Sequence, residues 1–180
     1  MEIVTSRLIL RPIVVGDAYD VFEYSREAKV GANAGWKPHE SLEESLQVMK
    51  TLFINKENIF GIILQETGKL IGTVGLVADP KRKNDNVKML GYAMGEAYWG
   101  KGYMTEAAKA LVVHGFKTIQ LTLISAYCYS FNFRSQRVLS KLGFKYEGRL
   151  TLCEKIYNGN IYDNECYALS PEAFNDIYLA

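Results

Sequence analysis

The pattern of apolar and polar positions predicts a chain that alternates between strands and helices. Seven apolar runs, many of them rich in β-branched residues, are typical of strands. They cover residues 5–11, 59–65, 70–78, 88–94, 121–127, 144–152 and 161–169. The loop Glu66-Thr67-Gly68-Lys69 and the pair Asn158-Gly159 separate successive runs, and both are typical of turns between antiparallel strands.

Four other segments have the three- to four-residue apolar spacing of an amphipathic helix. Asp17 is a candidate N-cap for the first, and Ser41 with Glu44 forms a capping box before the second, which extends to about residue 56. The third follows Gly102, and the fourth covers residues 132–142 and ends at Gly143. The element order β-α-α-β-β-β-α-β-α-β-β implies a mixed sheet covered by helices.

Composition limits the classes of protein that this chain can belong to. Its 180 residues are 48% apolar and 23% charged, which favours one globular domain over residues 1–180. The net charge of +1 gives no global attraction to nucleic acid, and no segment has the roughly 20 apolar residues of a membrane span. Cys128, Cys153 and Cys166 have no metal-site spacing. We therefore expect a cytoplasmic protein with reduced thiols and no metal, nucleic-acid or membrane partner.

A glycine-rich segment, residues 95–102, joins the fourth predicted strand to the third helix. Its end, Trp99-Gly100-Lys101-Gly102-Tyr103, places flexible glycines and one positive charge before a helix N-terminus. Backbone amides at such a terminus have no intrahelical partner and bind anions, so this segment predicts a phosphate-binding turn. The alternative interpretation is that this segment is an ordinary loop between a strand and a helix, with no role in binding. The dinucleotide fingerprint and the P-loop are both absent.

Four segments in the same order along the chain resemble the GNAT superfamily of N-acetyltransferases, and specifically its ribosomal-protein alanine N-acetyltransferase branch. The family's pyrophosphate motif, Gln/Arg-x-x-Gly-x-Gly/Ala, aligns with residues 99–104, although Trp99 and Met104 depart from it. Thr105-Glu106-Ala107 continues that branch's own variant. The other matching segments are residues 5–12, 132–135 and 138–144.

The resemblance implies a fold and a co-substrate. The fold is a mixed, mostly antiparallel seven-stranded sheet flanked by helices, with a V-shaped splay between the fourth and fifth strands. Acetyl-CoA lies in that splay, and an amine attacks it directly in a ternary complex without a covalent enzyme intermediate. The implied coenzyme-binding residues are Met94, Gly95, Gly100, Lys101, Gly102, Tyr103, Met104, Thr105, Asn132 and Ser135.

The sequence offers one candidate general acid and one candidate general base. Many family members have a tyrosine general acid seven residues after the asparagine, but Leu139 stands at that position, so Ser135 is the candidate acid. Glu96, just after the fourth strand, is the candidate base. Ser135 has an alternative interpretation as a helix-surface or coenzyme-contacting hydroxyl, and Glu96 as a solvated charge. Cys128 is interpreted as a small buried residue rather than a nucleophile.

Several further residues have two open interpretations. His114 is expected to be structural, whereas His39 precedes a helix near the expected acceptor side. Trp36, Tyr157 and Tyr162 fall in regions that shape the acceptor pocket in relatives, where aromatic rings serve packing equally well.

The acceptor amine is not determined by the sequence. The resemblance favours the N-terminal amine of a protein, with ribosomal proteins first, but a polyamine, an antibiotic or a small metabolite also carries a suitable amine. A non-catalytic CoA-binding regulatory domain is the main alternative, supported by the missing tyrosine. The sequence also leaves open whether the chain forms a homodimer.

Overall fold

The computed structural model describes residues 1–179, which form eight strands, six α-helices and two short 3-10 turns. The strands are β1 (Ile3–Val4), β2 (Leu8–Arg11), β3 (Ile59–Leu64), β4 (Leu70–Ala78), β5 (Val87–Met94), β6 (Leu123–Tyr129), β7 (Lys145–Lys155) and β8 (Ile161–Leu169). The helices are α1 (Ala18–Ser25), α2 (Ala28–Ala34), α3 (Leu42–Leu52), α4 (Tyr103–Lys117), α5 (Phe133–Lys141) and α6 (Pro171–Tyr178). The 3-10 turns cover Val15–Asp17 and Glu96–Tyr98.

The strands form a mostly antiparallel sheet in the order β1-β2-β3-β4-β5-β6-β8-β7. β5 and β6 pair in parallel, Val87–Met89 with Leu123–Ser125. The predicted mixed sheet is confirmed, but the prediction of seven strands is wrong because the two-residue β1 is too short to produce an apolar pattern. The divergence of β5 and β6 beyond their pairing stays a prediction.

The chain divides into two compact units, residues 1–75 with 92–110 and residues 76–91 with 111–179, and each is described by itself. The expectation of one domain over residues 1–180 stays a prediction. None of the helices within residues 1–179 is long and apolar enough to cross a membrane. The same residues contain no group of three or more His, Cys, Asp or Glu side chains that could hold a metal ion.

The core of the first unit is formed by apolar side chains from its helices and strands. The buried members are Ile13, Ala18, Val21, Tyr24, Val30, Met49, Ile63, Leu70 and Ala93. Ser41 caps α3 as predicted, since its Oγ accepts a hydrogen bond from the Glu44 amide at 3.1 Å. α3 ends at Leu52, earlier than expected.

Two expectations about the first helices need correction. Asp17 precedes α1, but its side chain forms no cap hydrogen bond to that helix. Its carboxylate instead binds the guanidinium of Arg11 and accepts from the Val14 amide at 2.8 Å. α2 was not predicted, because among its seven residues only Val30 and Gly31 are buried and no apolar stripe forms.

The second unit contains the hairpin of β7 and β8, with β6 paired to β8. Gly143 follows α5 with φ +82°, which confirms the predicted helix stop. α6 was also missed, although Ser170 caps it by accepting from the Ala173 amide at 3.3 Å. Its Phe174 ring packs on Phe116 with ring centroids 4.8 Å apart.

A buried carboxylate holds the segment after β4 against β6 within the second unit. The Asp79 side chain has no exposed surface. It accepts hydrogen bonds from Ser125 Oγ at 2.6 Å, Tyr127 Oη at 2.9 Å, Arg82 Nη1 at 3.1 Å and the Lys81 amide at 2.7 Å. Four donors thus satisfy a charge that would otherwise be costly to bury.

Candidate active site

The predicted phosphate turn lies immediately before α4. Gly100 and Gly102 have φ of +76° and +82°, a backbone region that other residues rarely adopt. The first hydrogen bond of the helix runs from the Glu106 amide to the Gly102 carbonyl at 3.0 Å. The amides of Tyr103, Met104 and Thr105 precede it and have no acceptor within the helix. Such amides are the groups that bind anions at a helix N-terminus, and binding of phosphate here stays a prediction.

Trp99 explains one departure from the family motif. Its indole Nε1 donates to the Met94 carbonyl at 2.7 Å, and its amide donates to the Glu96 carbonyl at 3.0 Å. The Tyr98 amide donates to the Gly95 carbonyl at 3.0 Å. These bonds close the loop between β5 and the glycine turn, so Trp99 fixes the loop from which the turn begins.

The segment before β2 is bound to the first turn of α4 through Glu106. This carboxylate accepts from Thr5 Oγ1 at 2.7 Å, Ser6 Oγ at 2.9 Å, the Arg7 amide at 2.8 Å and Arg7 Nε at 2.7 Å. Burial alone would raise the pKa of Glu106, but the hydrogen bonds outweigh burial and lower it to about 2. In the sequence, these two segments are only separate matches to the family, and no pattern predicts a contact between them.

The end of β5 is followed by Gly95, an implied coenzyme-binding residue, and by Glu96, the candidate base. Gly95 is buried, and a Cβ there would lie 3.3 Å from the Cβ of Tyr24. The Gly95 amide, in a residue that the resemblance assigns to coenzyme binding, donates to the Ile71 carbonyl at 3.0 Å. Glu96 forms an ion pair with Lys29, and its amide donates to Glu27 Oε2 at 2.7 Å. Glu96, the candidate base from the sequence, is therefore a carboxylate in an ion pair with Lys29.

The start of α5, in the second unit, holds the other predicted pair. Asn132 is the N-cap, and its Oδ1 accepts from the Ser135 amide at 3.1 Å. The Ser135 side chain is buried beside the Cys128 thiol. Burial raises the pKa of Cys128 to about 11 despite the hydrogen bond with Ser135, which disfavours a nucleophilic thiolate. Leu139 is fully buried, so the position of the family's tyrosine belongs to the core.

A cluster of aromatic rings and one carboxylate lies at the end of β6, whose last residue is Tyr129. The rings of Tyr129, Phe131 and Tyr162 have centroids 4.9–5.4 Å apart. Glu154 accepts from Tyr129 Oη at 3.0 Å and from Asn164 Nδ2 at 2.8 Å. Burial, with the adjacent Glu154 charge, raises the pKa of Tyr129. Of this cluster the sequence singled out only Tyr162.

The backbone beside this cluster is irregular. The pairing of β7 with β8 shifts register between Leu150 and Glu154. Leu152 lies within the shift with φ +48°, and its amide donates to Asp163 Oδ1 at 2.8 Å. Strained non-glycine conformations of this kind are concentrated at functional sites.

The remaining candidates have structural contacts. His39 is buried with its Nδ1 2.7 Å from Ser45 Oγ, and Trp36 Nε1 donates to the Ser25 carbonyl at 3.3 Å. Burial lowers the pKa of His39, and burial also lowers that of His114. Cys128, Cys153 and Cys166 are all free thiols, and Cys153 is exposed.

The open sheet, the glycine turn and the helix that follows it define a GNAT acetyltransferase. The family model described as "Acetyltransferase (GNAT) domain" matches residues 7–145, and the chain belongs to this family. It is an acetyl-CoA-dependent N-acetyltransferase that transfers the acetyl group to an amine.

Relatives and solved structures agree with this assignment. The chain is 33% identical over 172 residues to the uncharacterized N-acetyltransferase YoaA of Bacillus subtilis (strain 168), covering 92% of this chain and 94% of that protein. The [ribosomal protein uS5]-alanine N-acetyltransferase of Escherichia coli (strain K12) is 24% identical, with 82% and 80% covered. A GNAT acetyltransferase structure from Bacillus anthracis has a TM-score of 0.84 at 27% identity, covering 96% of this chain and 99% of that one.

Proposed function

We propose that this N-acetyltransferase acetylates the N-terminal amine of a protein by direct attack on acetyl-CoA. The observation that carries the proposal is a set of exposed apolar side chains on the hairpin of β7 and β8, which also carries Glu154. Its side chains Leu150, Leu152, Tyr157 and Ile161 are between 41% and 67% exposed. Small-molecule sites enclose most of their ligand, whereas an open apolar surface beside a carboxylate suits a polypeptide.

The position of β7 supports the same acceptor. β7 is the last strand in the order of the sheet and, within residues 1–179, pairs only with β8, so one of its edges is available to an extended peptide. Some relatives have names consistent with a protein acceptor, and two of them serve as examples. A putative ribosomal-protein-serine acetyltransferase from Vibrio cholerae has a TM-score of 0.80 at 27% identity, covering 95% of this chain and 98% of that one. The other is the Escherichia coli uS5-alanine enzyme.

Glu154 is our candidate to accept the proton of the acceptor amine. The amine must lose a proton before its nitrogen attacks the thioester carbon. The Glu154 carboxylate is held by Tyr129 and Asn164, and the nearby rings provide faces that attract an ammonium group. Glu96 remains the base inferred from sequence, but a proton arriving there would disrupt its ion pair with Lys29.

In the proposed reaction, the amine nitrogen forms a bond to the acetyl carbon while the carbon–sulfur bond breaks. Ser135 protonates the departing CoA thiolate, and no covalent enzyme intermediate forms. The amides of residues 100–105 hold the pyrophosphate, with Lys101 supplying charge. Met94, Gly95, Asn132 and Ser135 are assigned to the pantetheine arm by family resemblance. The Gly95 amide already donates to Ile71, so the thioester oxygen needs another donor.

The first experiment is a calorimetric titration with acetyl-CoA of the wild type and of Gly102→Glu, which places bulk and negative charge in the turn. We expect binding by the wild type and its loss in the variant. No wild-type binding at concentrations far above usual coenzyme affinities would contradict the coenzyme site. Binding without turnover of any acceptor would favour the regulatory CoA-binding alternative.

The acceptor is tested by comparing peptides with free alanine or serine N-termini against N-terminally blocked peptides, polyamines and aminoglycosides. We expect turnover only with free N-termini, and its strong reduction in Glu154→Gln and Ser135→Ala. Lys155→Gln is a matched control on the same strand. Faster turnover of a small amine than of every peptide would contradict the protein-acceptor proposal.

A further inference from the structure

We propose that Arg7 is a positioning residue for acetyl-CoA, because it fixes the orientation of the peptide unit between Lys101 and Gly102. The inference rests on the proposed coenzyme site at the glycine turn. It adds to that site a residue that lies outside the turn and 94 positions before Lys101 in the sequence.

Three contacts fix the guanidinium group of Arg7. Its Nη1 donates to the Lys101 carbonyl at 3.0 Å, and its Nε donates to Glu106 Oε2 at 2.7 Å. The group also lies 4.5 Å from the centroid of the Tyr103 ring. Glu106 is in turn held by Thr5 and Ser6. The guanidinium therefore links the middle of the turn to the first residues of α4.

The bond to Lys101 determines where the next amide points. A trans peptide unit is planar, and its carbonyl and its N–H point in opposite directions. The described residues contain no cis peptide bond. Because the Lys101 carbonyl points toward Arg7, the Gly102 N–H of the same unit points away from Arg7. That N–H is thereby presented as a donor alongside the first amides of α4, which have no acceptor within the helix.

The turn needs this restraint because Gly100 and Gly102 lie on either side of Lys101. Glycine adopts positive and negative φ about equally well, so rotation of the intervening peptide is inexpensive. A rotated unit would direct the Lys101 carbonyl oxygen toward the coenzyme's phosphates and repel them. Arg7 stabilises the orientation that presents the N–H. Lysine cannot reproduce the restraint, because its single ammonium lacks the planar fork that reaches both acceptors.

The test compares a ligand that has phosphates with one that lacks them. Affinities for acetyl-CoA and for S-acetyl-pantetheine are measured for the wild type, Arg7→Ala and Arg7→Lys. We expect acetyl-CoA to bind about tenfold to a hundredfold more weakly to both variants, the effect of one charge-assisted hydrogen bond. Binding of S-acetyl-pantetheine should be unchanged. Lys69→Ala, which removes another ion-paired cation of the same unit, is the control and should bind both ligands normally.

Thermal unfolding shows whether each variant is folded, and Glu106→Gln provides a second perturbation if Arg7→Ala is not. This variant keeps an acceptor for Thr5 and Ser6 while weakening the hold on Arg7, so we expect a smaller loss confined to acetyl-CoA. Unchanged acetyl-CoA affinity in folded Arg7 variants, or an equal loss for both ligands, would overturn the inference. Failure of the wild type itself to bind acetyl-CoA would instead overturn the coenzyme site, and this inference with it.

Discussion

The Glu106 carboxylate allows a quantitative prediction about the first unit. The variant is Glu106→Gln, which removes the charge while preserving the size of the side chain. The native contacts lower the pKa of Glu106 from its ordinary 4.5 to about 2. Such a difference corresponds to about 3 kcal/mol of folding free energy at neutral pH. Glu106 is 15% exposed but its partner Arg7 is 45% exposed, so screening by water reduces our expectation to about 2 kcal/mol.

The sign of the pH dependence follows from the lowered pKa. Because the folded state binds the Glu106 proton more weakly than the unfolded state, the stabilisation is complete above pH 4.5 and is lost as the pH falls toward 2. The same linkage between pKa and folding free energy predicts that about two fifths of the stabilisation by Glu106 remains at pH 3. Urea unfolding of the wild type and of Glu106→Gln at pH 7, 5, 4 and 3 should therefore give a difference that narrows with acid.

Glu23→Gln is the matched control, because Glu23 also forms an ion pair with a cation of the first unit but is 59% exposed. We expect it to change the free energy of unfolding by less than about 1 kcal/mol, as is usual for surface pairs. A difference between wild type and Glu106→Gln that stays constant from pH 7 to pH 3 would refute the reasoning, since a constant cost would come from packing rather than charge.

Three further changes test other parts of the fold. Asp79→Ala should lower the free energy of unfolding by about 3 kcal/mol in urea titrations, because four donors lose their acceptor. Gly143→Ala should cost about 1–3 kcal/mol, because the residue has φ +82° and the new Cβ would lie 2.1 Å from Ile177 Cδ1. Adding Ile177→Ala should recover part of that loss, and no recovery would contradict the proposed clash. Trp99→Phe should lower the free energy of unfolding, measured by thermal unfolding, by about 1 kcal/mol, because the Met94 carbonyl loses its hydrogen bond from the indole N–H. Unchanged stability would mean that this hydrogen bond contributes nothing.

The elements that the sequence predicted correctly have local causes. The glycine turn and α4 follow from two glycines and an apolar spacing that continues through one helix. The β7–β8 hairpin follows from two apolar runs and the pair Asn158-Gly159. By contrast, α2 is short and has no apolar stripe, so its formation depends on packing within its unit. α6 had a local signal, because Ser170 followed by Pro171 is typical of a helix start.

The parts of the candidate site that were missed depend on contacts between distant residues. Glu106 receives hydrogen bonds from residues about 100 positions earlier, and no spacing rule connects them. Glu154 depends on the register of two strands. Regular pairing from Leu150 and Asn164 would put Leu152 opposite Tyr162, but the observed shift puts Glu154 there. An irregularity of two residues thus decides which side chain joins the aromatic cluster.

Trp99 departs from the family motif, but its contacts in the structure give it a role in holding the loop before the turn. From sequence alone, a tryptophan in place of glutamine or arginine weakens the match to the pyrophosphate motif. In the structure the Trp99 indole donates to the carbonyl of Met94 at the end of β5. The Arg7 guanidinium donates to the carbonyl of Lys101, which lies in the turn two residues after Trp99. The turn is therefore restrained from both sides by side chains that are outside its glycines. A variant of the motif can keep the conformation of the turn when other residues supply the restraint.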